Sequence, residues 1–254
     1  MKLPVSFHIN VNEKFPRLSR APIVEAVIQW QATPTLPLEQ ANLLDVLKTR
    51  FPEFKCETLH EVEAAFAGSP QGMELRHRSQ WNGFRLTSHD QKHVCQFKPN
   101  TVVFSRLAPY EDWGQLTQAS QPFWNAFREL AAPIMIDRVG VRFISEVKLN
   151  EGEDVADYVT QPPSPLNSLG LVADSFFHKD SAATLGHAYK LNVVQTIQPA
   201  QPPLTTQRSL IVDIDIFTTE PIAIDVVDSK LSELRFIKNK VFFSVMRDAE
   251  EKFN

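Results

Sequence analysis

Residues 23–31, IVEAVIQWQ, alternate in polarity along the chain. Val24, Ala26, Ile28 and Trp30 share one side, and Glu25, Val27 and Gln29 share the other. A period of two is the signature of a strand. From Pro37, PLEQANLLDVLKTRF changes to helical spacing, with Leu38, Leu43, Leu44 and Leu47 on one side and proline near the start. Short strands are then expected at roughly 56–66, 73–79, 83–88, 92–98 and 101–107, with TSHDQKH and KPNT as turns. Residues 110–132 return to helical spacing through Trp113, Leu116, Phe123, Phe127 and Leu130, with Pro122 expected to bend the helix. Residues 134–149 alternate again, with Val139, Val141, Phe143, Val147 and Leu149 facing one way.

The second half begins with a short helix near 153–159 and a proline- and serine-rich stretch, TQPPSPLNSLG, which reads as a linker. Strands follow at about 174–179, 185–197 and 208–218, and a helix from about Asp225 to Phe253 ends the sequence. Its buried side carries Val227, Leu231, Leu234, Val241, Val245 and Met246, while Phe236 and Phe243 form a second stripe that needs cover from elsewhere. Consecutive strands crossed by three to four helices predict an α+β fold with largely antiparallel, twisted sheet and a long C-terminal helix. Two subdomains, 1–150 and 151–254, are expected, either distinct or joined in one continuous unit. Both halves run from strands to a helix without a recognisable sequence repeat.

Composition narrows the chemistry. The net charge of -4 rules out binding polyanions by bulk charge, so any basic surface is local. Eight glycines in 254 residues, with no G-x-G-x-x-G and no Walker A motif, remove the common dinucleotide and nucleoside-triphosphate readings. Cys56 and Cys95 have neither disulfide-framework nor zinc spacing and fit a reducing compartment. No stretch approaches the roughly 20 apolar residues of a membrane helix. The expectation is a cytoplasmic protein with no membrane partner, and no motif calls for a cofactor.

Four groups of residues carry candidate chemistry. Glu25 interrupts an apolar strand, and Arg138 and Arg142 lie four residues apart on one strand face. If the strands are neighbours, a structural ion pair is the expected solution, because an unpaired buried carboxylate costs several kcal/mol. A solvent-facing Glu25, or a chemical role for it, are the alternatives. Asp213 and Asp215 share a strand face and suit Mg²⁺ or Mn²⁺, but no third oxygen donor is visible. Residues 76–106 concentrate Arg76, Arg78, Arg85, Lys92, Lys98 and Arg106 against the single acid Asp90, interleaved with Trp81, Phe84, Phe97 and Phe104. Such a meander can track a phosphate backbone and stack bases. Plain strand alternation, with aromatics inward and cations solvated, gives the same pattern.

APIVEAVIQ, FSRLAPYEDW, RVGVRFISEV and LIVDIDIF, in this order and spacing, resemble a sporadically distributed bacterial family of uncharacterised proteins. The resemblance implies a patchily inherited gene of the kind found in mobile or defence-associated loci. It implies no reaction and carries over no catalytic residue. The expected function is therefore a non-enzymatic binding or interaction component that meets a protein partner or a second copy of itself. The alternative is a nucleic-acid-binding protein or metal-dependent nuclease using the 76–106 meander and Asp213/Asp215.

Overall fold

The computed structural model describes residues 6–69, 72–150, 152–163, 175–198 and 208–254, without the side chains of 63–78. The first strand, β1 (Ile23–Gln31), sits near the middle of a nine-stranded sheet, and α1 (Gln40–Arg50) follows it. Next come β2 (Phe54–Ser69), β3 (Gly72–Ser88), β4 (His93–Lys98), β5 (Thr101–Leu107) and α2 (Trp113–Ala131). The chain continues through β6 (Met135–Ile136), β7 (Arg138–Leu149), β8 (Phe177–Ala183), β9 (Tyr189–Gln198), β10 (Arg208–Thr218) and β11 (Ile222–Ala223). It closes with α3 (Val227–Val245) and the short α4 (Ala249–Lys252). The fold is α+β, with every ladder antiparallel.

The sheet order is β2-β3-β4-β5-β1-β7-β10-β9-β8. Its two halves meet where β1 pairs with β7, so the division at residue 150 separates the chain but not the sheet. Outward from that seam the order runs β5, β4, β3 on one side and β10, β9, β8 on the other. This is an approximate two-fold relation that no sequence repeat announces.

Both long helices cover the same face. Trp124 of α2 stacks on Trp30 of β1 at 5.5 Å, and Lys238 of α3 lies over Phe143 of β7. Trp30 is level with Val139, and Phe143 with Ala26, so these side chains point one way. The core fills the space between. Ile28, Trp30, Phe84, Phe97, Phe104, Phe127 and Ile214 are all essentially inaccessible to solvent.

Several elements differ from their sequence pattern. The segments expected at 73–79 and 83–88 form one strand, β3, because a register shift opposite Leu59 and His60 carries the ladder past Trp81. Gly83 makes this possible. Its φ is +117°, and an added Cβ would stand 2.0 Å from the Phe97 carbonyl oxygen. The expected helix at 153–159 shrinks to a 3-10 turn at Val155–Asp157, closed by the Asp154 capping box. The terminal helix stops at Val245, where Met246 bridges to Val159 in extended conformation. Most of the linker expected at 160–170 lies outside the described residues.

The aromatic stripe on α3 is covered from within the chain. Phe15, in the extended arm before β1, stacks on Phe243 and packs against Phe236, each at 5.8 Å, and Phe7 meets Phe236 at 6.4 Å. Lys240 donates to Glu13 at 2.5 Å, and the Arg20 amide donates to the Phe253 carbonyl at 2.8 Å. The arm is strapped along α3. Among the described residues no helix is long and apolar enough to cross a membrane.

Candidate functional site

The face of the sheet away from the helices holds Glu25, Arg138, Arg142, Asp213 and Asp215, and its pairing differs from the expected one. Arg142 donates to both Asp213 oxygens, at 2.9 and 2.6 Å. Arg138 lies 3.7 Å from Asp215, donates to the Gln29 side chain, and stacks over Phe217 at 4.1 Å. Glu25 forms no ion pair among the described residues, which corrects the expected Glu25–arginine bridge. The reason is positional. The unbroken register from Glu25 to Gln31 sets Glu25 opposite Ile144 and Leu107, whereas β10 brings two carboxylates to the other side of β7. Glu25 is left as a minor, through-space contributor to holding Arg142 charged, behind the Asp213 hydrogen bonds. Arg142 takes both Asp213 oxygens, while Asp215 faces Arg138 and accepts from the Asn192 amide at 3.5 Å. Among the described residues no cluster of three or more His, Cys, Asp or Glu is placed to hold a metal.

Of the two readings of the basic meander, the described residues favour the one in which the aromatics turn inward. Phe84, Phe97 and Phe104 are fully buried, the last two packed with Phe123 of α2, and Trp81 is half-buried against Phe84. None of the four is presented for base stacking. Arg106 is only 7% exposed and ion-paired with Glu111, so it is not free for a phosphate. Arg85 is exposed opposite Glu57, Lys92 and Lys98 are half-buried, and the side chains of Arg76 and Arg78 lie outside the described residues. Strand alternation accounts for the described aromatics.

A different site stands on the helix-covered face. A cavity of about 840 Å³ opens at the seam between the two halves, over Phe143 and Ser145 of β7 and between the start of α2, α3 and the arm. Phe143 is its floor. Tyr110 meets that ring edge-on at 5.6 Å, Trp113 lies flat to it at 6.5 Å, and the Lys238 amine stands 4.2 Å from its centre. Arg235, one turn before Lys238, places its guanidinium 5.9 Å from the Trp113 ring centre.

Lys238 is 8% exposed and has no hydrogen-bond or ion-pair partner among the described residues. Burial, reinforced by Arg235, pulls its pKa down from 10.5 to about 7. Tyr110 is pushed up from the usual tyrosine range, chiefly by burial, so its hydroxyl stays protonated. The carboxylates around the cavity are already engaged. Glu13 pairs with Lys240, Glu111 pairs with Arg106, and Asp112 caps α2 by accepting the Gln115 amide at 2.9 Å. Those same bonds hold Glu111 and Asp112 below the usual carboxylate range, through Arg106 and the Gln115 amide respectively. Lys14, Arg17, Arg235 and Lys238 complete the charged lining.

Sequence reasoning passed over Lys238, although the signal was present. The stripe Leu231, Leu234, Val241, Val245 has one vacant helical step, and position 238 fills it with a lysine. A charge at a core-facing helical position is rare unless paired or functional. No protein-family model matches the chain, and no curated protein matches it.

Proposed function

We propose that the protein is a non-enzymatic binding protein whose ligand is a compact organic anion held in the cavity beneath the arm. The observation that carries this reading is the buried, unpartnered Lys238 amine on an aromatic floor. Burying a cationic group without a partner is costly, and a ligand that supplies the missing negative charge offsets that cost. The cavity volume lies in the range of small-molecule sites, and its place between two topological halves is a common one for ligands. With Glu13, Glu111 and Asp112 committed elsewhere, the uncommitted charge of the lining is positive. The resemblance to a sporadically inherited bacterial family supports an accessory binding role, with a protein partner reading the loaded state, over a housekeeping reaction.

Thermal-shift and calorimetric titration with a panel of small carboxylates and phosphate esters tests the proposal. Saturable stabilisation by at least one compact anion, lost in Lys238→Met, is the expected result. A folded protein that no member of the panel stabilises overturns it.

A further inference from the structure

Anion binding alone does not explain why the amine sits where it does. Arginines already line this cavity, and a guanidinium grips a carboxylate better than an ammonium does. A lysine buried over a phenyl ring, one helical turn from a guanidinium, has a second property: its surroundings favour the uncharged amine. A desolvated lysine beside another cation is a recognised arrangement for nucleophilic attack on carbonyl carbon. Lys238 is the only buried lysine among the described residues.

We infer that Lys238 forms a reversible imine with a 2-oxo acid seated in this cavity. The inference rests on the anion-binding reading above. Arg235 and Lys238 are three residues apart on one helix, so their side chains emerge about 5–6 Å from one another. That spacing suits a ligand whose carboxylate and carbonyl are adjacent, with the carboxylate on Arg235 and the carbonyl carbon at the amine.

The step balances without any further reagent. The Lys238 nitrogen lone pair forms the C–N bond as the carbonyl π pair moves to oxygen. That oxygen takes a proton, for which the Tyr110 hydroxyl, packed on the same Phe143 ring, is the donor at hand. The nitrogen, now positively charged, returns one proton to Tyr110 and so regains its lone pair. The hydroxyl takes a proton and leaves as water as that pair closes the C=N bond. The remaining N–H proton restores Tyr110, so that carbonyl plus amine gives imine plus water. Nothing is oxidised or reduced, and hydrolysis returns ligand and amine. Burial keeps Tyr110 protonated, so it hands a proton to the oxygen only as it takes one back from the nitrogen, acting as a relay.

The charged and titratable groups facing Lys238 are Arg235 on its own helix, Glu13, Lys14 and Arg17 on the arm, and Tyr110, Glu111 and Asp112 before α2. Among the described residues no histidine lines the cavity. A rate that climbs through neutral pH therefore reports the lysine.

The test uses the whole chain with pyruvate as carbonyl probe and lactate as its non-carbonyl counterpart. Cyanoborohydride trapping is followed by intact mass and peptide mapping, with Lys238→Arg as the comparison. One reduced pyruvate on Lys238, trapped faster as pH passes about 7 and absent from Lys238→Arg, is the expected outcome. Lactate binding with no trapped pyruvate overturns the imine and leaves the anion site standing. If neither acid binds and nothing is trapped, this ligand class is overturned, and the broader anion panel then decides the binding proposal separately. Pyruvate spread over exposed lysines, equally in both proteins, overturns the imine. Mapping on the wild-type protein gives this answer even if Lys238→Arg does not fold.

Discussion

The Lys238 amine lies 4.2 Å from the centre of the Phe143 ring, at a position on α3 where the neighbouring core positions hold leucine and valine. The ring face attracts the charged form, yet desolvation and Arg235 outweigh it and bring the pKa to about 7. The consequence for stability has a definite sign. Between about 7 and the usual 10.5 the unfolded chain holds one more proton at this position than the folded chain, so wild-type stability rises with pH across that window. Lys238→Met removes the penalty. It is expected to stabilise the apo protein by about 2–4 kcal/mol near neutrality, the scale for relieving a buried unpaired charge. The gain should shrink as pH approaches 10 (roughly the ordinary lysine range). Urea denaturation of both proteins across pH measures it; a destabilised Lys238→Met at every pH would contradict the site's energetics.

Asp213 and Asp215 should respond in opposite ways. Asp213 holds Arg142 through two hydrogen bonds, and its loss in Asp213→Asn should cost about 1 kcal/mol, allowing for the half-exposed arginine. Asp215 is raised above its ordinary pKa by burial despite Arg138 and the Asn192 side chain. A carboxyl raised in the folded state weakens the fold once ionised, so its penalty appears as pH rises through the folded value. Asp215→Asn should therefore be neutral or slightly stabilising at pH 7 and indistinguishable from wild type in acid. Equal losses from both substitutions would show that the pairs are equivalent, against this reading.

The two core glycines test the sheet geometry. A methyl at Gly83 meets the Phe97 carbonyl and demands a left-handed backbone, so Gly83→Ala should destabilise by at least about 3 kcal/mol. At Gly140 the methyl would stand 3.1 Å from Phe217 Cβ, 3.2 Å from the Ile216 carbonyl oxygen and 3.3 Å from the Arg138 guanidinium, of which only the last moves freely. Gly140→Ala should cost only about 1–2 kcal/mol and release Arg138 from the Phe217 ring. Chemical denaturation orders the two; Gly140→Ala being the worse would refute the geometry.

Removing the arm's aromatic contact should expose α3. Phe15→Ala is expected to cost about 2 kcal/mol, below the range for a fully buried phenylalanine because Phe15 is only half-buried. It should also raise dye binding and self-association, since Phe236 and Phe243 lose their cover. Light scattering that shows both proteins with the same association state, together with unchanged dye binding, would mean the arm is not the cover.

What the chain's own pattern determined is mostly local. The alternation through Val139, Val141 and Phe143, the leucines of α1 and the aromatic positions of α2 marked strand, helix and core side correctly, because each depends on neighbours only a few residues away. That the 76–106 aromatics turn inward was among the readings the pattern allowed. Pairing was decided by tertiary structure. Whether Arg142 meets Glu25 or Asp213 depends on which strand lies on each side of β7 and in what register, and neither leaves a local trace. The same holds for the cavity. Phe15, Tyr110, Phe143 and Lys238 are far apart in the chain and converge only because two topologically similar halves join at β1 and β7, with the arm laid across α3. The lysine itself was visible as a break in an apolar stripe. That it faces an aromatic-floored cavity without a partner is a property of packing, since burial and charge compensation are set by residues that sequence distance does not connect.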